Sequence, residues 1–183
     1  MSLRNTAVAR DYEPDPLRWA IPVLERQLAN TLDLAAHVER LRTELAADAD
    51  GKTRSLLEGL SDELDACCTL FTDRIESFAP VLQQPQQSEA SRHSHWELFA
   101  VDGFDCRERL EGLLGGYAYY VRESSDSLAK LERLSDLESA RFVCRAIAAA
   151  EKGLWFIDVY IAVMTLRMGS VRLPDWPRAV VST

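Results

Sequence analysis

The sequence has few residues that interrupt helices, and no part of it alternates regularly between apolar and polar residues. Eight glycines and seven prolines are spread over 183 residues. A strand with one face in water shows a period of two, so the lack of alternation argues against a β-sheet. Low glycine and proline content permits long helices. These absences together indicate an all-α protein.

Long apolar runs are also lacking. The longest one, residues 154–164, is interrupted by Asp158 and falls short of the ~20 residues that a membrane-spanning helix needs. Residues 1–15 have no apolar core and include three acidic side chains, so we expect no signal peptide. We therefore predict a soluble, cytoplasmic protein with no membrane partner.

Positive charge is scarce. The formal net charge is −8, whereas nucleic-acid binding relies on clustered lysine and arginine. Residues 1–18 contain no lysine, and their three arginines are balanced by three acidic residues. The C-terminal tail adds only Arg172 and Arg178. DNA is therefore an unlikely partner.

The few cysteines and histidines match no zinc motif. Cys67 and Cys68 are adjacent rather than spaced as CxxC, and we expect all four cysteines to be reduced thiols in the core. Asp33 and His37 share a helix face and could form half of a metal site. A hydrogen-bonded, partly exposed histidine is the favoured interpretation. The other two histidines are predicted on the surface, with capture of a transition metal as the alternative: His93 and His95.

Four helical segments remain. Pro16 suits the first turn of a short helical entry, and Pro22 places the start of the first main helix at residue 21 or 22. The second helix is predicted over about 53–79. The third runs from residue 102 or 105 to about 133. The fourth opens with a capping box from Ser135 to Glu138 and ends near Gly169.

Residues 80–95 form a polar connection too long for a hairpin turn. Two antiparallel helix pairs joined by one long crossover predict an all-α, ferritin-like four-helix bundle. We expect an N-terminal extension over 1–20, the bundle over 21–169 and a C-terminal tail over 170–183.

Two groups of residues are expected to serve packing between helices. The first is the glycines of the third helix: Gly112, Gly115 and Gly116. The second is the aromatic residues of the fourth helix, predicted in the core: Trp155, Phe156 and Tyr160. Met164 alone is weak evidence for a haem ligand.

Three local strings resemble the Dps family of miniferritins: Leu-Glu-Arg-Gln-Leu at 24–28, Leu-Phe-Thr-Asp-Arg-Ile at 70–75, and Glu-Lys-Gly-Leu-Trp-Phe-Ile-Asp at 151–158. The resemblance covers roughly residues 22–165, and its register needs no gap between residues 24 and 79. It implies a homo-oligomer built on a two-fold dimer, with a dodecameric cage as the favoured closed form. In such cages, diiron ferroxidase sites lie at the dimer interfaces.

The resemblance also locates the five ferroxidase positions, where the family has His, His, Asp, Asp and Glu. One subunit would supply the first three and its neighbour the last two. Arginine is a cation with no lone pair to give, so it cannot ligate Fe(II). Thr43 also replaces the tryptophan of the family. The residues at the five positions are Arg42, Arg54, Glu58, Thr69 and Asp73.

These substitutions predict loss of the standard diiron centre, no ferroxidase activity of the usual kind, and no resident metal or cofactor. The role would then be structural, stress-related or binding, with two arginines facing two carboxylates across the dimer. The alternative is iron sequestration by an acidic stripe on the inner surface, for which a plain solvated face is the simpler interpretation. The stripe consists of Glu58, Asp62, Asp65 and Asp73.

Overall fold

The computed structural model describes residues 16–46, 50–78 and 105–169. These residues form four α-helices: α1 (Pro16–Glu44), α2 (Gly51–Ser77), α3 (Cys106–Arg133) and α4 (Leu137–Gly169). No strand occurs in these three ranges, so the predicted all-α class is confirmed. Residues 1–15 of the predicted N-terminal extension, the predicted C-terminal tail and the two crossover histidines lie outside the described residues.

The helix directions follow from contacts between side chains. Arg26 pairs with Glu123 at 2.9 Å, whereas Glu44 near the other end of α1 pairs with Arg109 at 2.7 Å, so α1 and α3 are antiparallel. The pairs that join α2 to α4 give the same result: Glu63 with Lys152, and Arg74 with Glu138. Helices α3 and α4 are antiparallel across the tight turn at Ser135. Helices α2 and α3 must therefore be parallel, which requires a crossover along the bundle and confirms the ferritin-like topology.

Helix α1 begins earlier than the sequence predicted. Pro16 is its first residue, as expected for a first-turn proline, but Pro22 lies inside the helix instead of at its start. Proline removes one intrahelical hydrogen bond. Ala20 and Ile21 are nevertheless 0% and 5% exposed. Packing of this first segment against the core compensates for the missing bond, so the predicted start at 21 or 22 is wrong.

The turn between α3 and α4 also differs from the prediction. Ser135 adopts φ 59°, and the Asp136 N–H donates to the carbonyl of Leu131 at 3.1 Å, which is a Schellman ending for α3. Asp136 then caps α4, because its Oδ1 accepts from the Ser139 N–H at 3.1 Å. The cap is therefore Asp136, not the Ser135 of the predicted capping box. Serine cannot serve both as the left-handed end of one helix and as the extended cap of the next.

Buried leucines and aromatic rings from all four helices form the core. Tyr117 of α3 packs directly on Gly153 of α4, where an added Cβ would lie 2.6 Å from Cε1 of Tyr117. Gly112 and Gly116 are buried in α3, in agreement with a packing role.

Several predicted core residues are not in the core. Trp155 and Phe156 are 60% and 42% exposed, and Tyr160 is half-buried. Helix α4 is apolar on more of its circumference than its contacts with α2 and α3 can cover, so part of that apolar surface faces outward. Cys144 is an exposed free thiol, whereas Cys67 is buried.

His37 differs from its prediction in the opposite direction. It was predicted to be partly exposed, and its side chain is only 4% exposed.

Candidate functional site

The five ferroxidase positions all lie on exposed surface of α1 and α2. Arg42 donates from Nη2 to Oε1 of Glu39, one turn earlier, at 2.9 Å. That bond is the main reason why the pKa of Arg42 is raised, and the charges of Glu58 and Asp62 add to the effect. The first position, Arg42, is thus within electrostatic reach of the third position, Glu58, across the α1–α2 pair, while its hydrogen bond goes to Glu39.

The other two positions lie farther along α2. Thr69 and Glu58 are eleven residues apart, which corresponds to about 16 Å of helix rise. The Thr69 hydroxyl donates back to the carbonyl of Asp65 at 3.0 Å. Asp73 lies one further turn away and is exposed. Within one chain, Thr69 and Asp73 therefore lie far from Arg42 and Glu58.

The acidic stripe is exposed along its whole length. Spacings of four, three and eight residues keep its four carboxylates on one side of α2 without making them converge on a point. Within the three described ranges, no group of three or more His, Cys, Asp or Glu side chains is placed to hold a metal ion.

A groove that the sequence analysis did not anticipate lies where the beginnings of α2 and α3 meet the last turns of α4. Its volume is about 530 Å³. Val159 and Val163, each 39% exposed, contribute to its apolar surface. The sequence signal for the groove is the helical spacing of apolar residues at 156, 159, 160, 163 and 164. Of these, Phe156 and Tyr160 were predicted in the core. The groove is lined by Asp50, Lys52, Thr53, Leu56, Cys106, Phe156, Val159, Tyr160, Val163, Met164 and Arg167.

A compact hydrogen-bonded cluster forms the polar part of this groove. Asp50 Oδ1 accepts from the Thr53 N–H at 2.8 Å, from the Thr53 hydroxyl at 2.9 Å and from the Tyr160 hydroxyl at 2.8 Å. These bonds, the Thr53 backbone bond foremost, lower the pKa of Asp50 to about 2. Partial burial raises the pKa of the Tyr160 phenol. The carboxylate is thus ionised and occupied by its own chain, and it fixes the start of α2 against α4.

A second polar cluster lies inside the bundle, between α1 and α3. Gln27 donates to the Ser124 hydroxyl at 2.6 Å, and the hydroxyls of Thr31 and Tyr120 are 2.8 Å apart. Burial raises the pKa of Tyr120 to about 12. Oε1 of Gln27 is buried and has no hydrogen-bond partner among the described residues. These uncharged groups fix the register of the two helices and include none of the carboxylate and histidine ligands that a diiron centre requires.

His37 accepts a hydrogen bond on Nδ1 from Arg40 at 3.2 Å. Burial and the neighbouring guanidinium of Arg40 both lower the pKa of His37. A neutral imidazole fits this arrangement, because Arg40 needs a lone pair to donate to. His37 is therefore a buried structural residue of α1.

None of the described helices is long and apolar enough to cross a membrane.

The arrangement of the four helices, with α2 parallel to α3, defines a ferritin-like bundle. Solved structures of similar fold include a point mutant of Mycobacterium smegmatis Dps1, with a TM-score of 0.66 and 15% identity over 81% of this chain and 98% of that one. Dps from Thermosynechococcus elongatus has a TM-score of 0.60 and 14% identity, over 91% of this chain and 97% of that one.

An archaeal Dps homologue from Halobacterium salinarum has a TM-score of 0.60 and 16% identity, over 80% of this chain and 81% of that one. No protein-family model and no curated sequence matches the chain. At this level of identity the similarity establishes the fold, which is that of Dps.

Proposed function

We propose that this protein is a Dps-like miniferritin homologue that assembles into a homo-oligomer built on a two-fold dimer and has lost the diiron ferroxidase centre. In place of iron, arginines and carboxylates from two subunits would form a metal-free cluster of ion pairs. The observation that carries the proposal is that Arg42, Arg54, Glu58 and Asp73 all lie on exposed surface of a chain with the fold of Dps. The role of the protein would be structural, stress-related or binding, and it would act in the cytoplasm.

The charges at these positions support loss of iron binding. Arg42 and Arg54 would place two fixed positive charges where Fe(II) would have to bind, and a guanidinium has no lone pair to offer it. Glu58 and Asp73 are only two carboxylates, too few to satisfy two iron ions. Facing each other, two guanidiniums and two carboxylates are balanced in charge and can form bidentate hydrogen bonds.

The separation within one chain supports a site completed by a second copy. Asp73 is too far along α2 to reach Arg42 of its own chain, so that arginine pairs locally with Glu39 at 2.9 Å. That pair is exposed on both sides, and such pairs contribute little to stability. Arg42 can therefore exchange Glu39 for a carboxylate of a neighbouring subunit at little cost.

Aerobic addition of Fe(II), followed by oxidation kinetics and a count of iron retained per subunit, tests the loss of activity. We expect oxidation at the background rate. A variant with Arg42→His, Arg54→His and Thr69→Asp should gain iron binding, because it restores two imidazoles and a carboxylate. The matched control is Arg141→His, which adds a histidine at an exposed arginine of α4. Oxidation well above background by the unmodified protein would contradict the proposal.

Light scattering tests assembly, since a subunit of 20.6 kDa gives well-separated masses for monomer, dimer and dodecamer. A monomer at micromolar concentration would contradict the proposed oligomer.

Iron sequestration by the acidic stripe is the second candidate. The supporting observation is that Glu58, Asp62, Asp65 and Asp73 are all exposed on one side of α2, where an assembled cage could attract cations. Retained iron without rapid oxidation, abolished by Asp62→Asn together with Asp65→Asn, would favour this second function.

A further inference from the structure

The groove between the start of α2 and the last turns of α4 combines an apolar surface with two basic residues, Lys52 and Arg167, and one acidic residue, Asp50. We propose that it is a binding site for a compact organic anion with an aliphatic body, of the class of medium-chain carboxylates. This site is separate from the five ferroxidase positions and does not depend on the function proposed for them.

The apolar part of the groove would contact the aliphatic body. Phe156, Val159 and Val163 of α4 are 42%, 39% and 39% exposed. Leu56 of α2 and Met164 of α4 also line the groove, and methionine adapts readily to ligands of different shape. A ligand that covers these side chains gains the hydrophobic free energy that the fold leaves unused.

The charges favour an anion over a cation or a neutral molecule. Lys52 and Arg167 both line the groove, and within the described part of the chain neither forms a salt bridge. Asp50 is the one carboxylate among the lining residues, and its Oδ1 already accepts from Thr53 and Tyr160. Oδ1 of Asp50 is therefore engaged within the chain, and the charge of Asp50 offsets one of the two cations, so the described lining keeps a net charge of +1.

The size of the groove favours a small molecule over a protein partner. A volume of about 530 Å³ lies within the range of roughly 300–1,000 Å³ that is typical of small-ligand sites. A stable protein contact needs roughly 800 Å² from each partner, which is an extended surface rather than a single groove. The hydrogen bonds of Asp50 fix α2 against α4, so the walls are formed before any ligand arrives.

Isothermal titration calorimetry of the full chain with decanoate tests the proposal, with decyltrimethylammonium as the probe of opposite charge. We expect saturable binding of one decanoate per chain and at least roughly tenfold weaker binding of the cation. Lys52→Ala and Arg167→Ala should each weaken decanoate binding by roughly threefold, as expected for exposed charge pairs. The matched controls remove exposed cations away from the groove, Lys130→Ala and Arg141→Ala, and should change nothing.

Val163→Trp should abolish binding by filling the groove, and Val159→Phe gives a second, smaller obstruction if the first variant fails to fold by circular dichroism. Equal binding of both probes, or decanoate binding that survives both obstructing variants, would overturn the proposal. The absence of saturable decanoate binding to the full chain would also overturn the proposal. This holds even if the cause is that a second copy or another part of the chain covers the groove.

Discussion

Arg74 and Asp136 form an ion pair that joins the end of α2 to the turn between α3 and α4. Nη2 of Arg74 lies 3.1 Å from Oδ1 of Asp136, and the two side chains are only 11% and 4% exposed. Arg74 also donates to Glu138 at 2.6 Å and to the Ser139 hydroxyl at 2.9 Å, and its guanidinium lies 4.4 Å from the centre of the Phe78 ring. Arg74 thus connects the end of α2 to the α3–α4 turn and the first turn of α4.

Arg74→Ala should destabilise the protein by about 3 kcal/mol, because it leaves the Asp136 carboxylate buried without its counter-ion. Arg26→Ala is the matched control, since Arg26 is 57% exposed in its pair with Glu123, and should cost less than about 1 kcal/mol. Urea unfolding of both variants measures the difference. Similar losses of unfolding free energy in the two variants would show that the hydrogen bonds of the α4 cap alone stabilise the buried Asp136 carboxylate.

Ser135→Gly should stabilise the protein by roughly 0.5–1 kcal/mol, because a residue with a Cβ is strained at positive φ and glycine is not. The φ of Ser135 is 59°. Ser125→Gly is the control, at an exposed position inside α3, where glycine should destabilise by roughly 0.5 kcal/mol. Thermal or urea unfolding measures both changes. Destabilisation by Ser135→Gly would exclude the left-handed turn.

The buried imidazole of His37 should make stability dependent on pH. Its folded pKa lies below the unfolded value of 6.5, first because of burial and then because of Arg40. Below pH 6.5 the unfolded chain therefore binds more protons than the folded chain. The free energy of unfolding decreases as the pH is lowered from there, until the pH passes the folded pKa. His37→Gln removes this contribution. The comparison is urea unfolding of both proteins at pH 7.5 and 5.5, and an identical loss in the two would contradict it.

Two glycines should respond to alanine in opposite ways. At Gly153 an added Cβ would lie 2.6 Å from Cε1 of Tyr117 and 3.1 Å from Cδ2 of Leu60, whereas nothing lies within 4 Å at Gly59. Gly153→Ala should therefore cost about 1–3 kcal/mol through overpacking. Gly59→Ala should stabilise α2 by up to about 1 kcal/mol through helix propensity. Free energies of unfolding in urea test the pair, and two changes of the same sign would refute this account of the packing.

The four helices were predictable because apolar residues recur at helical spacing. Their starts were less so, since Asp50 caps α2 although the sequence placed that start at about residue 53. Pro22 misplaced the start of α1, since the sequence does not reveal how well Ala20 packs. Trp155 and Phe156 were misplaced for a different reason: spacing identifies an apolar face but not whether another helix covers it. The ungapped register of the resemblance predicted the positions of Arg42 and Glu58 along the first two helices. The groove was not, because it is formed by the ends of three helices that are distant in sequence.

The arginine–carboxylate cluster should be detectable as energetic coupling between subunits. If Arg54 of one subunit faces Asp73 of the other, Arg54→Ala and Asp73→Ala should each weaken the dimer by roughly a hundredfold or more, because each removes one partner of a desolvated pair. The double variant should lose much less than the product of the two effects, since it leaves no charge stranded. Arg141→Ala is the control for loss of a positive charge elsewhere. Dimer dissociation constants from analytical ultracentrifugation form the thermodynamic cycle. Effects that simply multiply would place Arg54 and Asp73 apart in the assembly and remove the ion-pair cluster from the proposed function.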